Sequence, residues 1–97
     1  KMKWAVIFED APEMLAHRKE HRSAHLQFLE ANTKRVLVGG GLRAMPGTPF
    51  CGGLWIVSAK HFEDVVDLVQ SDPYYNPELR SFRIFAWGKA LDRPVTL

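Results

Sequence analysis

Two short stretches of this chain carry side chains that could do chemistry together. The first is Arg18-Lys-Glu-His-Arg22-Ser-Ala-His25-Leu26, and the second is Asp72-Pro-Tyr74. The guanidinium groups of Arg18 and Arg22 suit an anion. An imidazole such as His25 can move a proton near neutral pH, and a carboxylate held against it fixes its tautomer. If the stretches meet in space, Asp72 accepts a hydrogen bond from His25 or from Arg22. Linear separation does not decide between those two, nor does it show that the stretches meet.

Each stretch also has an ordinary reading. A lone histidine on a helix face is often just a satisfied hydrogen-bonding group. Asp72 before Pro73 can open an Asx turn with no further role. Both positions are nonetheless awkward. At 100° per residue, Leu15, Arg18, Arg22, His25, Leu26 and Leu29 fall within about a third of a turn, which puts cations on the expected inward stripe. Burying a cation without a partner costs several kcal/mol, so that stripe must face a carboxylate or a wet cavity. Asp72 in turn follows a helix, where the dipole disfavours negative charge.

The elements that must hold these residues follow from patterning. Lys3 to Glu9 reads as a strand, with Trp4, Val6 and Phe8 on one face and Ala5 and Ile7 on the other. Asp10-Ala-Pro-Glu13 turns the chain into a helix from about Pro12 to Ala31, closed at Asn32, a residue that tolerates the left-handed conformation. Arg35 to Val38 starts a second strand. Gly39-Gly-Gly41 after it marks a bulge or a close approach by a ligand or another backbone, with the bulge favoured because the run lacks a phosphate-loop pattern. Leu42 to Gly53 is a turn-rich connection and Leu54 to Val57 a third strand, with Ser58 suited to cap the second helix. His61 to Ser71 is that helix, amphipathic and stopped by Pro73, and Ser81 to Lys89 a last strand that alternates Phe82, Ile84 and Ala86 against Arg83, Phe85 and Trp87. Ala90 to Leu97 is a tail.

The order β-α-β-β-α-β predicts an α+β, ferredoxin-like sandwich, an antiparallel sheet with two helices on one face. A chain of 97 residues is expected to form a single domain over 1–97. The other sheet face carries apolar side chains from several strands, so a homodimer through it is expected.

Composition narrows the partners. Hydrophobic residues make up 46% and charged residues 25%, ordinary for a soluble globular protein. The net charge is +2 with basic residues scattered among acidic ones, which argues against nucleic acid as a partner. No apolar run approaches the ~18 residues of a membrane span, and no signal peptide is read ahead of the first strand. Cys51 is the only cysteine, so a cytoplasmic location is expected, with no cysteine-based zinc site. His17, His21 and His25 share the i, i+4, i+8 spacing that permits metal ligation, yet no acidic or cysteine partner of recognised motif accompanies them; the expectation is no metal and no cofactor. Trp4, Trp55 and Trp87 read as core or interface, and Tyr74 and Tyr75 as pocket cover or packing.

Arg22-x-x-His25-Leu26, a glycine-ended second strand leading to Gly41-Leu42, Gly53 opening the third strand, and Asp72-Pro73-Tyr74 together resemble the YciI-like (YCII-related) family. The resemblance covers about Met2 to Trp87 and departs at Gly41, where many relatives have proline, and at Glu78, near where many have glycine. It implies a dimeric α/β barrel with a cleft between sheet and helices, and His25 and Asp72 as catalytic pair. Around that pair, Arg22, Arg18, Gly41 and Tyr74 are candidates for substrate binding. A few such relatives remove halide or isomerise ring compounds. The expectation is therefore a small cofactor-independent enzyme, a lyase or isomerase, acting on a small anionic or aromatic-derived metabolite. The alternative is a non-catalytic module that binds a small molecule in the same cleft.

Overall fold

β1 (Met2–Asp10) is the strand on which the others assemble, and its β-branched and aromatic residues suit a strand covered on both edges. The computed structural model describes residues 1–97. After β1 come α1 (Met14–Ala31), β2 (Val36–Leu42), β3 (Gly52–Ala59), α2 (Phe62–Ser71) and β4 (Arg80–Trp87). The sheet order is β2-β3-β1-β4, and every neighbouring pair is antiparallel. This is the βαββαβ ferredoxin-like arrangement, with each helix connecting two strands that have a third between them.

Strand parity sorts the side chains. Trp4, Val6 and Phe8 of β1, Trp55, Val57 and Ala59 of β3, and Val36 of β2 are buried with Val65, Leu68 and Val69 of α2 in one core. Phe28 and Leu29 of α1 and Phe82 and Ile84 of β4 pack against it. Trp4 keeps its indole satisfied by donating Nε1–H to the Ala59 carbonyl at 3.0 Å. On the opposite face Phe85 and Trp87 are about half exposed, and the tail beyond β4 borders a broad hollow there with Leu37, Val38 and Ile56. No helix is long and apolar enough to cross a membrane.

Several local expectations are corrected. Gly39, Gly40 and Gly41 are not a bulge: they pair regularly with Trp55, Leu54 and Gly53, and the irregularity lies earlier, between Val36 and Val38. β2 and β3 both run further than their apolar cores suggest, because backbone pairing needs no side chains. Asn32 closes α1 without left-handed geometry (φ −121°). Its Nδ2 donates to the Phe28 carbonyl at 2.8 Å and its oxygen accepts from Arg35, so side-chain bonds replace the turn. Ser58 lies inside β3, and His61 caps α2 instead, its backbone N–H donating to Asp64 Oδ2 at 3.2 Å.

The inward stripe of α1 is rotated from the expected one. Leu15 and Leu26 are exposed, while Met14 is fully buried and His21, His25 and Phe28 turn inward. Polar and apolar residues are so evenly mixed on this helix that its rotation is set by contacts with the sheet. Phe28 stacks against Trp55 at 6.2 Å, and Arg18 reaches the carbonyl of Gly52 at 2.7 Å.

Candidate active site

α1 crosses the sheet above β2 and β3, and α2 ends beside its midpoint. That crossing brings the two chemical stretches together: His25 Nδ1 lies 2.7 Å from Asp72 Oδ1, with the carboxylate side chain 2% exposed. Asp72 is the residue that ends α2, and the same Oδ1 accepts the backbone N–H of Tyr74 at 3.0 Å. The Asx turn and the long-range contact are therefore both present, made by one oxygen. The carboxylate stands at the negative pole of α2, and those two donors offset the position. Because the carboxylate only accepts, Nδ1 is the donor and carries the proton in this pair. Nε2 is left with no protein partner and is accessible from the cavity beside it.

That cavity has a volume of about 180 Å³ and lies between α1 and the sheet. Its floor is glycine, and the reason is steric. Gly41 and Gly53 are cross-strand partners, and a Cβ on Gly53 would come within 3.3 Å of the Phe8 ring and 3.2 Å of the Gly40 carbonyl. A Cβ on Gly39 would press on Trp55 at 3.1 Å. Side chains missing from β2 are what leave room under the helix. The glycine run is thus a place of close approach, the less favoured of its two sequence readings.

Arg18, Arg22, His25 and Arg80 line this space with Tyr74, Phe50 and Trp55. Asp10 and Arg80 are cross-strand partners at the end of the β1–β4 ladder. Arg80 donates Nε–H to Asp10 Oδ1 at 2.7 Å and Nη2–H to Oδ2 at 3.0 Å, a two-pronged pair with both side chains at most 3% exposed. Arg18 adds a third bond to Asp10 Oδ2 at 3.2 Å. The two arginines therefore share one buried carboxylate. Arg22 makes no ion pair or hydrogen bond, and its guanidinium is free at the cavity. Three arginines face two aspartates, so with His25 neutral the site carries one uncompensated positive charge.

Of the residues singled out from sequence, His25 and Asp72 are in contact, Arg18 and Arg22 flank the same cavity, and Gly41 lies in its floor. Tyr74 is 5% exposed and lies flat on the His25 imidazole, centroids 3.7 Å apart. It is part of the wall more than an open contact surface. Arg18 is committed to Asp10 and Gly52, which leaves Arg22 as the less restrained of the two guanidinium groups. His17 and His21 lie ring against ring at 4.2 Å on α1, apart from the His25–Asp72 pair.

Sequence reasoning missed Asp10, Arg80 and Phe50. Parity contains a signal for the first two, since Asp10 continues Trp4, Val6, Phe8 and Arg80 precedes Phe82, Ile84 on the covered face. Phe50 sits in a loop, where no period applies. A second hollow of about 330 Å³, lined by Arg35, Lys60 and Asp64 among others, holds no comparable donor–acceptor pair.

The profile of the YCII-related domain family matches residues 2–88 of the chain. Among solved structures, the chain resembles the 5-chloro-2-hydroxyhydroquinone dehydrochlorinase TftG from Burkholderia phenoliruptrix AC1100, determined in complex with 2,5-dihydroxybenzoquinone. The two share 28% identity over 90% of this chain and 94% of that one, with a TM-score of 0.78. No curated protein matches the chain.

Proposed function

Since the chain belongs to the YCII-related domain family, we propose that its 97 residues work as one domain and as a small lyase or isomerase that moves protons with its own side chains. The observation that carries this reading is the 2.7 Å contact between His25 and Asp72 at the wall of a cationic cavity. With Nδ1–H donated to Asp72, Nε2 holds the lone pair that takes a proton from a bound substrate. The electron pair left behind moves into the substrate as an enolate or phenolate. Arg22, with Arg18 behind it, stabilises that charge in a space partly shielded from water. For an elimination, a leaving group then departs with its bonding pair; for an isomerisation, Nε2–H returns the proton to a second carbon.

The lining supports one class of substrate. One surplus positive charge suits a small anion, and the rings of Tyr74, Phe50 and Trp55 suit a planar, unsaturated one. A hydroxylated quinone or hydroquinone has both properties, and the ligand of the structural relative is of that kind. We also read the open sheet face as the seat of a second copy. Phe85 and Trp87 would then be buried between two sheets.

The test uses wild type and His25→Gln with 5-chloro-2-hydroxyhydroquinone as substrate and 2,5-dihydroxybenzoquinone as binding probe. Wild type should release chloride. The variant should lose roughly 10²- to 10⁴-fold in turnover, the usual worth of a positioned acid or base, while binding the probe within a few fold. Probe binding by wild type without turnover of this or related ring substrates favours a non-catalytic binding module. Equal turnover by the variant removes His25 from the mechanism.

A further inference from the structure

We infer that Phe50 is a specificity-determining wall of this pocket, and that Gly41 is glycine so that Phe50 can stand there; the inference rests on the proposed ring-binding function. Phe50 belongs to the connection between β2 and β3, residues 43–51. That loop is ordered by its own bonds. Thr48 Oγ1 donates to the Met45 carbonyl at 2.7 Å, and Gly47 takes the positive φ of +87° that the turn requires. Just after Phe50, the N–H of Cys51 donates to the Leu42 carbonyl at 2.9 Å and anchors the loop's return to the sheet.

From that anchor the Phe50 ring folds over β2. A Cβ added to Gly41 would stand 2.6 Å from its Cδ1, so the ring occupies the place a side chain at 41 would take. The guanidinium groups of Arg18 and Arg43 each lie 5.1 Å from the ring centroid, within cation–π range. Phe50 is nevertheless 40% exposed and lines the cavity that holds His25 and Arg22. A large aromatic side chain held by two cations but left partly uncovered has surface available to a ligand. At about 180 Å³ the cavity is small for a ligand site, and Phe50 closes one side of it. Its position admits a single planar ring and blocks a fused second one.

Two probes separate these cases: 2,5-dihydroxybenzoquinone and the two-ring 2-hydroxy-1,4-naphthoquinone. Their dissociation constants would be measured by calorimetry for wild type, Phe50→Tyr, Phe50→Ala, Gly41→Ala and the double variant Phe50→Ala/Gly41→Ala. Wild type and Phe50→Tyr should prefer the single ring. Phe50→Ala should shift the preference at least tenfold towards two rings. Gly41→Ala should shift it the same way, because its methyl group evicts the Phe50 ring. The double variant should match Phe50→Ala within about twofold, since without the ring the methyl has nothing to evict. Gly41 has no positive φ and Phe50 is half exposed, so each variant should fold, which thermal denaturation checks. An unchanged preference in Phe50→Ala, or effects of the two single variants that multiply in the double, overturns the inference while leaving the proposed function standing. Failure of wild type to bind the single-ring quinone removes the proposed function, and this inference with it.

Discussion

Tyr74 lies parallel to His25, the two ring planes 6° apart and their centroids 3.7 Å from each other. The stacking and the Asp72 contact restrain the imidazole differently. Asp72 fixes one nitrogen, and Tyr74 fixes the plane. Tyr74 also begins the segment whose backbone N–H bonds Asp72, so ring and carboxylate are positioned by one turn.

Tyr74→Ala should remove the plane and a buried aromatic together, at a stability cost of about 3 kcal/mol. Tyr74→Phe should stay within about 0.5 kcal/mol, because the hydroxyl has no hydrogen-bond partner. Urea denaturation measures both. Should Tyr74→Phe prove as damaging as Tyr74→Ala, the hydroxyl has a role that stacking does not cover.

Nitrogen-15 spectra of the His25 ring should show the proton on Nδ1 when the ring is neutral, because only a donor satisfies the Asp72 carboxylate. Asp72→Asn can offer its amide as donor to Nδ1, which would put the ring proton on Nε2. That variant should lose roughly 10²-fold or more in proton transfer. A neutral ring protonated on Nε2 in wild type would contradict the assigned polarity.

Asp10 is the one carboxylate between Arg18 and Arg80, and its side chain is 1% exposed. Asp10→Ala leaves two guanidinium groups facing each other in a poorly hydrated place, at a cost of about 3–5 kcal/mol. The loss should exceed that of Glu9→Ala, whose partner Arg83 lies 3.5 Å away with both side chains more than half exposed. Chemical denaturation of the two variants gives the comparison, and equal losses would mean that the Asp10 cluster is as well hydrated as the surface pair.

On the open sheet face, Phe85→Glu should turn a dimer into a monomer in sedimentation at micromolar protein, since a charge there must be desolvated between two sheets. A monomeric wild type would dispose of the dimer reading.

The strands were readable in the sequence because period-2 alternation survives in β1 and β4, and Trp4, Val6, Phe8, Phe82 and Ile84 all face the side their parity assigns. The helix face was not. α1 has arginine and histidine among its inward residues and leucines among its outward ones, so its rotation follows from Phe28 meeting Trp55 and Arg18 meeting Gly52. The His25–Asp72 contact could be conceived from residue types, but distance could not. Asp10 looked like the start of a turn because a proline follows two residues later, although its parity with Phe8 placed it on the covered face. Phe50 had no period to betray it, and its importance comes from an absent side chain at Gly41.

The ion pair that closes one end of the pocket joins residues 70 positions apart, and the His25–Asp72 contact spans 47. β1 must also wait for both of its neighbours, one from the middle of the chain and one near its end. During synthesis, therefore, the lining of the cavity stays incomplete until Tyr74 and Arg80 have been made. Arg80 can meet Asp10 only after β4 has emerged from the ribosome, so the buried ion pair is among the last contacts of the fold to close.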